Sequence, residues 1–278
     1  MTDEQPSLRR VSGPTDRPES RSMVIRLLVI PIAIYAIWMI VTSLLEGDAR
    51  LFLVQNPAGI VLYTVLACII TGMIIPVYCL RESFVTGAIN MFQIGFRELR
   101  RTLFACSLTS FFGYTMVILF SPFGTDRSAF AFTFLLLLPT AIASVMVCWV
   151  LLGTHVQAFV RSGGTIISIA AGSLVTAWLF CITSFAHSPS VHLQSALAGF
   201  LVLGLATAVF FFAVRDVYAA SIFVAFGLTF VMADRIGISG TQSAMIAIDG
   251  SALLAVITLI GIHRYFSRNF KTVMLPVK

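Results

Sequence analysis

Long apolar runs alternate with short polar segments along almost the whole chain. Each run is close to the roughly 20 apolar residues that a helix needs to cross the hydrocarbon of a bilayer. The eight runs span residues 23–45, 57–80, 102–120, 128–152, 165–185, 195–214, 217–233 and 242–262. The pattern therefore predicts an all-α fold, a polytopic integral membrane helix bundle of about eight transmembrane helices.

The composition excludes a water-soluble fold. Of the 278 residues, 58% are hydrophobic and 11% are charged, whereas soluble domains have about 25% charged residues. Residues 1–22 are rich in Pro, Ser, Thr and Arg without apolar periodicity, so we expect a disordered cytoplasmic tail there. Residues 23–262 are then the transmembrane helical bundle, and residues 263–278 are a basic cytoplasmic C-terminal tail.

Positive charge is distributed unevenly between the two sides of the predicted spans. With both termini in the cytoplasm, fifteen of the eighteen Lys and Arg residues fall in cytoplasmic segments, as the positive-inside rule requires. This count predicts a multi-pass protein of the cell membrane with N-in, C-in topology. It explains the net charge of +6 without a nucleic-acid partner. It also requires a tight hairpin at Arg215 and Asp216, between the sixth and seventh spans.

The segment between the second and third spans has a helical pattern of its own. Apolar residues recur there at three- and four-residue steps, and the face that they form consists of Phe84, Ala88, Met91, Phe92, Phe96 and Leu99. This pattern predicts a short interfacial amphipathic helix on the cytoplasmic leaflet. Because Arg97, Arg100 and Arg101 lie at its end, we expect these three residues to contact anionic lipid headgroups. The alternative is a helix that extends the third span into the cytosol.

The fourth span carries a regular stripe of polar residues. Thr140, Ser144 and Cys148 follow one another at four-residue steps after Pro139. His155 lies seven residues further on, on the same helical face. The stripe is a candidate polar path, kinked at Pro139, which cannot donate to the helix ladder. The alternative is ordinary packing, since Ser and Thr in membrane helices commonly bond backward to carbonyls of their own helix.

Asp249 is the acid that lies well inside an apolar run, eight residues into the last one. A charge at that depth is costly, and its own helix offers only apolar or small neighbours, so we expect a partner on another span or a protonated carboxyl. Cys181, Thr183 and Thr229 are predicted to lie at comparable depth. The two interpretations are a proton or cation site, which adds Asp249 to the candidate polar path, and a neutral acid hydrogen-bonded between helices.

The near absence of charge within the spans favours transport or permeation of a small neutral or apolar solute. The alternative is a non-catalytic membrane scaffold or anchor subunit that binds a protein partner within the membrane. A third hypothesis, an intramembrane lipid-modifying enzyme, ranks last, because the sequence shows no carboxylate pair, metal cluster or nucleophile with a nearby base. We therefore expect no catalytic residue, no metal and no cofactor. The expected partners are membrane lipids, with anionic headgroups at the cytoplasmic face.

Overall fold

The structure is a computed structural model, and it describes residues 24–46, 56–120, 127–187, 193–232 and 242–270. All regular secondary structure in these residues is helical. The helices are α1 (Ile25–Val29 continuing as Ile30–Glu46), α2 (Pro57–Tyr63, Thr64–Ile74 and Ile75–Val85), α3 (Met91–Ile94), α4 (Leu99–Phe120), α5 (Arg127–Ser144, Val145–Gly153 and Thr154–Phe159), α6 (Thr165–His187), α7 (Leu193–Val214), α8 (Val217–Met232) and α9 (Gln242–Asn269), with a 3-10 turn at Arg161–Gly163.

The predicted polytopic helical bundle is confirmed. Within the described residues, seven helices are long and apolar enough to cross a membrane, namely all of those above except α3 and α8. Helix α8 has 16 residues and is about 24 Å long at 1.5 Å per residue, against roughly 30 Å of hydrocarbon. The count of eight spans and the orientation in the membrane remain predictions.

Each long helix begins within three residues of the start of its predicted apolar run, but several helices continue past the end of the run. Helix α2 continues to Val85, α5 to Phe159 and α9 to Asn269, although the runs end at residues 80, 152 and 262. Residues 263–269, predicted as the start of the C-terminal tail, therefore belong to α9. The predicted tail of residues 1–22 and the last eight residues lie outside the described part of the chain.

Apolar contacts explain why these late ends stay helical. Phe266, near the end of α9, is fully buried. Its ring lies 5.4 Å from that of Phe84 and 5.7 Å from that of Phe96, measured between centroids. The ends of α2 and α9 thus bury aromatic surface against each other beyond the apolar runs. This burial stabilises helix in segments whose remaining residues are mostly polar.

Helix α5 forms the centre of the bundle. In the most apolar stretch of 18 residues within α5, 83% of the residues are buried. In the corresponding stretch of the span that includes α4, only 11% are buried. Every side chain from Val145 to Leu152 is at most 2% exposed. Helix α4 lies at the edge and packs on α8, where a Cβ on Gly113 would overlap the ring of Phe226. A residue in the middle of α5 is therefore surrounded by protein, and a residue on α4 mostly faces outward.

The helices run between two ends of the bundle. The arginine-rich end holds the last turns of α2, α5, α7 and α9 and the first turns of α4 and α8, and its basic residues include Arg81, Arg97, Arg100, Arg101, Arg161, Arg215, Arg264 and Arg268. At the opposite end, α9 begins beside the start of α2, and Phe230 of α8 approaches Phe130 of α5 with ring centroids 6.4 Å apart. Helix α8 therefore connects the two ends despite its short length.

The segment between α2 and α4 contains a short helix, but that helix has only four residues. Helix α3 is held by a capping box between Asn90 and Gln93. Gly87 before it and Gly95 after it have φ values of +71° and +87°. This left-handed backbone ends a helix and suits glycine. A continuous helix from Phe84 to Leu99 is therefore not formed.

The apolar face predicted for this segment is divided accordingly. Phe96 is 6% exposed and packs inside the arginine-rich end, whereas Phe92 is 58% and Leu99 is 70% exposed. The prediction of a single apolar face was wrong, because the two glycines redirect the chain between its members.

Candidate functional site

A two-residue turn of Arg215 and Asp216 separates α7 from α8, as the sequence predicts. Arg215 takes a left-handed conformation with φ 54°, which costs a non-glycine residue roughly 1–2 kcal/mol. Asp216 is 1% exposed. Its Oδ1 accepts the N–H of Ala219 at 2.9 Å, and its Oδ2 accepts the hydroxyl of Thr102 at 2.6 Å. The carboxylate thus caps α8 at the end that favours negative charge, and it ties α8 to α4.

The segment that follows α3 lies against this turn. The Gly95 carbonyl accepts the N–H of Val217 at 3.1 Å, and a Cβ on Gly95 would lie 3.1 Å from the Arg215 carbonyl carbon. Arg97 donates from Nε to the Arg215 carbonyl at 3.0 Å and from Nη2 to the Val214 carbonyl at 3.2 Å. A cation is favourable at these carbonyls because they end α7.

The side chain of Arg215 is enclosed at the same place. It is 8% exposed, and its guanidinium lies 4.9 Å from the centroid of the Phe212 ring. Nη1 donates to the Gln93 carbonyl at 3.2 Å, and Nη2 donates to Gln157 Oε1 at 3.0 Å. Burial, together with the nearby Arg97, lowers the pKa of Arg215 to about 10, so the group remains charged at neutral pH. The turn is therefore built around a fixed positive charge.

A cleft of about 630 Å³ opens beside the turn. The lining of this arginine cleft consists of Arg97, Glu98, Arg100, Arg101, Phe104, Ala105, Val214 and Asp216. Arg100 and Arg101 are exposed, and Phe104, one turn further along α4, is 70% exposed. Guanidinium groups bind phosphate and carboxylate through paired N–H donors. Beside an apolar wall, they suit an anionic group attached to an apolar body.

The arginine cleft brings together all three arginines that the sequence predicts to contact headgroups. Arg97 comes from the coil after Gly95, and Arg100 and Arg101 come from the first turn of α4. Arg97 is half-buried and also caps α7, so part of its hydrogen-bonding capacity serves the fold. The two exposed arginines therefore have the freer guanidinium groups, and their contact with lipid stays a prediction.

The predicted polar stripe lies together on α5, but inside the protein. Thr140, Ser144, Cys148 and His155 are 7%, 1%, 0% and 0% exposed. The Thr140 Oγ1 lies 3.3 Å from the Tyr63 hydroxyl of α2. The Thr140 end of the stripe thus faces α2, and protein encloses all four side chains.

Sequence analysis found no nucleophile beside a base, and here the structure differs. The Oγ of Ser83 lies 2.7 Å from Nε2 of His155, whose Nδ1 lies 2.7 Å from the Leu151 carbonyl. Because a carbonyl only accepts, Nδ1 carries the proton and Nε2 accepts the serine hydroxyl. Ser83 is 6% and His155 is 0% exposed. We interpret this pair as a bond that holds α2 to α5, since both groups are enclosed.

Asp249 lies apart from the stripe. It is exposed on α9, whereas Ile248 and Ser251 beside it are buried. The residues expected at its depth are bonded elsewhere: Thr183 donates to the Phe180 carbonyl at 2.6 Å, Thr229 donates to the Ala225 carbonyl at 2.7 Å, and Cys181 donates to the Leu197 carbonyl at 3.7 Å. The structure therefore does not bring Asp249 to the other residues of the candidate polar path.

Comparisons with known proteins give no family, relative or fold neighbour. No family model, curated protein or solved structure matches this chain. In the described residues, no group of three or more His, Cys, Asp or Glu side chains is placed to hold a metal ion. The geometry of the arginine cleft is therefore the strongest indication of function.

Proposed function

We propose that this multi-pass membrane protein binds an anionic lipid in the arginine cleft. The phosphate group lies among Arg97, Arg100 and Arg101, and the acyl chains lie along the outward face of α4. The observation that carries the proposal is the convergence of these three side chains on one cleft at the arginine-rich end. Three further features of the cleft support it.

The charges that line the cleft favour an anion. Three arginines accompany two acids, Glu98 and Asp216. Asp216 already accepts two hydrogen bonds, from Thr102 and Ala219, so its charge is largely satisfied within the protein. The cleft therefore has two exposed guanidinium groups, of Arg100 and Arg101, and one exposed carboxylate, of Glu98. A phosphodiester would supply the negative charge that balances the second guanidinium.

The position of two of the arginines also favours a ligand. Arg100 and Arg101 occupy the first turn of α4, where a positive charge opposes the helix dipole. Helix stability alone would place acids there. A bound anion removes this disadvantage, since it interacts with both the guanidinium groups and the free N–H groups of the turn.

The outward face of α4 suits acyl chains. Phe104, Leu108 and Phe111 follow the arginines along the helix and are 70%, 45% and 66% exposed. A lipid whose phosphate enters the cleft would extend its chains over these side chains. Because the cleft and this face are continuous, the site fits an amphiphile better than a free ion.

Native mass spectrometry of the purified protein tests the proposal. The variant Arg100→Gln/Arg101→Gln is compared with Arg264→Gln/Arg268→Gln, which removes the same charge from exposed positions at the same end. Each arginine near an anionic headgroup contributes about 1 kcal/mol, so we expect the first variant to bind phosphatidylglycerol roughly 30-fold more weakly. The second should bind it as the wild type does.

Two further titrations identify the ligand. Phosphatidylcholine should bind weakly to all three proteins, because its headgroup has no net charge. Inorganic phosphate at millimolar concentration should not displace phosphatidylglycerol if the acyl chains contribute. Equal losses in the two double variants would contradict the proposed site.

A second candidate function is transport or permeation of a small neutral or apolar solute through the polar stripe. One observation favours it: the π-helical stretches Thr64–Ile74 of α2 and Val145–Gly153 of α5 contact each other beside the stripe. Such helices are rare, usually short, and frequent at functional sites. A return of either stretch to α-helical register would rotate its side chains and open a path that is now closed.

A further inference from the structure

A second surface lies at the opposite end of the bundle, between the starts of α2 and α9. It is a groove of about 680 Å³, and the lining of this α2–α9 groove consists of Pro57, Ala58, Val61, Leu62, Val65, Ser243, Ile246, Ala247 and Gly250. A Cβ placed on Gly250 would meet nothing within 4 Å. Small residues of this kind allow another helix to approach closely in a membrane.

Asp249 lies beside this groove on α9. It precedes Gly250 and follows Ile246 by three residues, and it is exposed. Ile246 and Leu253, about one turn to either side, are 67% and 61% exposed, so the carboxyl lies within an apolar outward face. Among the described residues, none donates a hydrogen bond to it.

The depth of Asp249 makes this exposure costly. Asp249 and Arg264 are 15 residues apart on α9, about 22 Å at 1.5 Å per residue. With Arg264 at the surface of the arginine-rich end, the carboxyl lies about 8 Å inside the other edge of a hydrocarbon layer of roughly 30 Å. Ionisable groups at such depths normally pair with another group.

We propose that the α2–α9 groove docks one transmembrane helix of a partner protein, and that this helix presents a Lys or Arg to Asp249. The apolar, small-residue groove receives the body of the helix, and the carboxylate pairs with its cation. The charge on Asp249 sets the chemistry of the partner, and the depth of Asp249 sets the position of the cation.

Other occupants of the groove fit these observations less well. A second copy of this chain fits less well, because most of its described basic residues lie at the arginine-rich end. Arg127, at the groove's end of the bundle, is the first residue of α5 and therefore lies further out than Asp249. A lipid carries its charge at headgroup level, outside the depth of Asp249. The groove and the arginine cleft are at opposite ends of the bundle, so this proposal is independent of the lipid proposal.

Energy transfer between the labelled protein and labelled synthetic helices tests the docking. The helices consist of 21 Leu and Ala residues and are mixed with the protein in phosphatidylcholine vesicles. One helix carries a single Lys six residues from the end that reaches the groove side. A second carries it in the middle of the helix, where it is mismatched in either direction of insertion, and a third has Leu in its place. We expect the first helix to associate about tenfold more tightly than the others, which corresponds to an interhelical polar contact of 1–2 kcal/mol.

Variants assign this preference to the groove. Asp249→Asn should abolish the preference for the matched Lys, and Asp249→Glu should keep it. Gly250→Leu should fill the groove and so weaken the association of all three helices with the protein. Val202→Phe, at an exposed position of α7 outside the groove lining, should leave that association unchanged. Because Asp249 is exposed, Asp249→Asn should unfold like the wild type.

Three results would overturn the proposal. The first is association that does not depend on the depth of the Lys. The second is a preference that survives Asp249→Asn. The third is energy transfer between two labelled copies of this chain that Asp249→Asn abolishes, since that would make the partner a second copy.

Discussion

Thr102→Val removes the hydroxyl that joins α4 to the cap of α8. Valine has nearly the same shape as threonine, so the change leaves a methyl group where a donor lies 2.6 Å from the Asp216 Oδ2. The carboxylate is 1% exposed, so little water can reach the position of the lost donor. A hydrogen bond to a charged group contributes about 1.5–3 kcal/mol. Since Ala219 still donates to Oδ1, we expect the free energy of unfolding to fall by about 2 kcal/mol.

The assay is equilibrium unfolding in mixed micelles, with the denaturing detergent titrated and helicity followed by circular dichroism. Thr109→Val is the matched control on the same helix. Thr109 is also buried, but its hydroxyl donates to the Ala105 carbonyl four residues earlier in the same helix. The loss of such a hydrogen bond to the helix backbone has little effect on stability. We expect that control to change stability by less than about 0.5 kcal/mol. Equal effects of the two variants would refute the role given to Asp216.

Three further predictions concern other contacts. Gly95→Ala should destabilise the protein by roughly 1 kcal/mol more than Gly87→Ala in the same unfolding assay, because both glycines have positive φ but only Gly95 closely approaches another backbone segment. Ser83→Ala should cost about 1–3 kcal/mol, because it leaves the buried Nε2 of His155 with only the Cys79 thiol, at 3.9 Å; an unchanged midpoint would contradict the Ser83–His155 bond. If the polar stripe conducts, Ser144→Val should slow protein-dependent glycerol entry into proteoliposomes several-fold, measured by light scattering, and unchanged flux would remove Ser144 from the path.

The spans could be predicted because the bilayer imposes one strong requirement on the sequence. Backbone groups in hydrocarbon must bond within the chain, so an apolar run of sufficient length becomes a helix. The break at Arg215 and Asp216 was predictable for the same reason, since one continuous helix would leave the membrane. The late ends of α2 and α9 were not, because they depend on contacts such as that of Phe84 with Phe266, which join distant parts of the chain.

The candidate site was predictable only in part. A cluster of basic residues near Arg100 is visible in the sequence, but its meeting with Asp216 depends on the packing of α4 against α8. Helical periodicity fixes which residues share a face, but it does not fix which face meets the protein. Asp249 illustrates this limit, because the same helix could have turned its carboxyl inward. His155 was predicted as part of the polar stripe, but its bond with Ser83 was missed, because nothing local to either residue indicates that α2 and α5 are neighbours.

Both proposed surfaces are placed with one topology, in which the arginine-rich end of the bundle faces the cytoplasm and α8 crosses the membrane. Protease accessibility of a tag, placed at one terminus at a time in intact cells, tests this claim most directly. We predict that both tags are protected until the membrane is opened. A tag cleaved from outside at either terminus would contradict the eight-span topology with both termini in the cytoplasm.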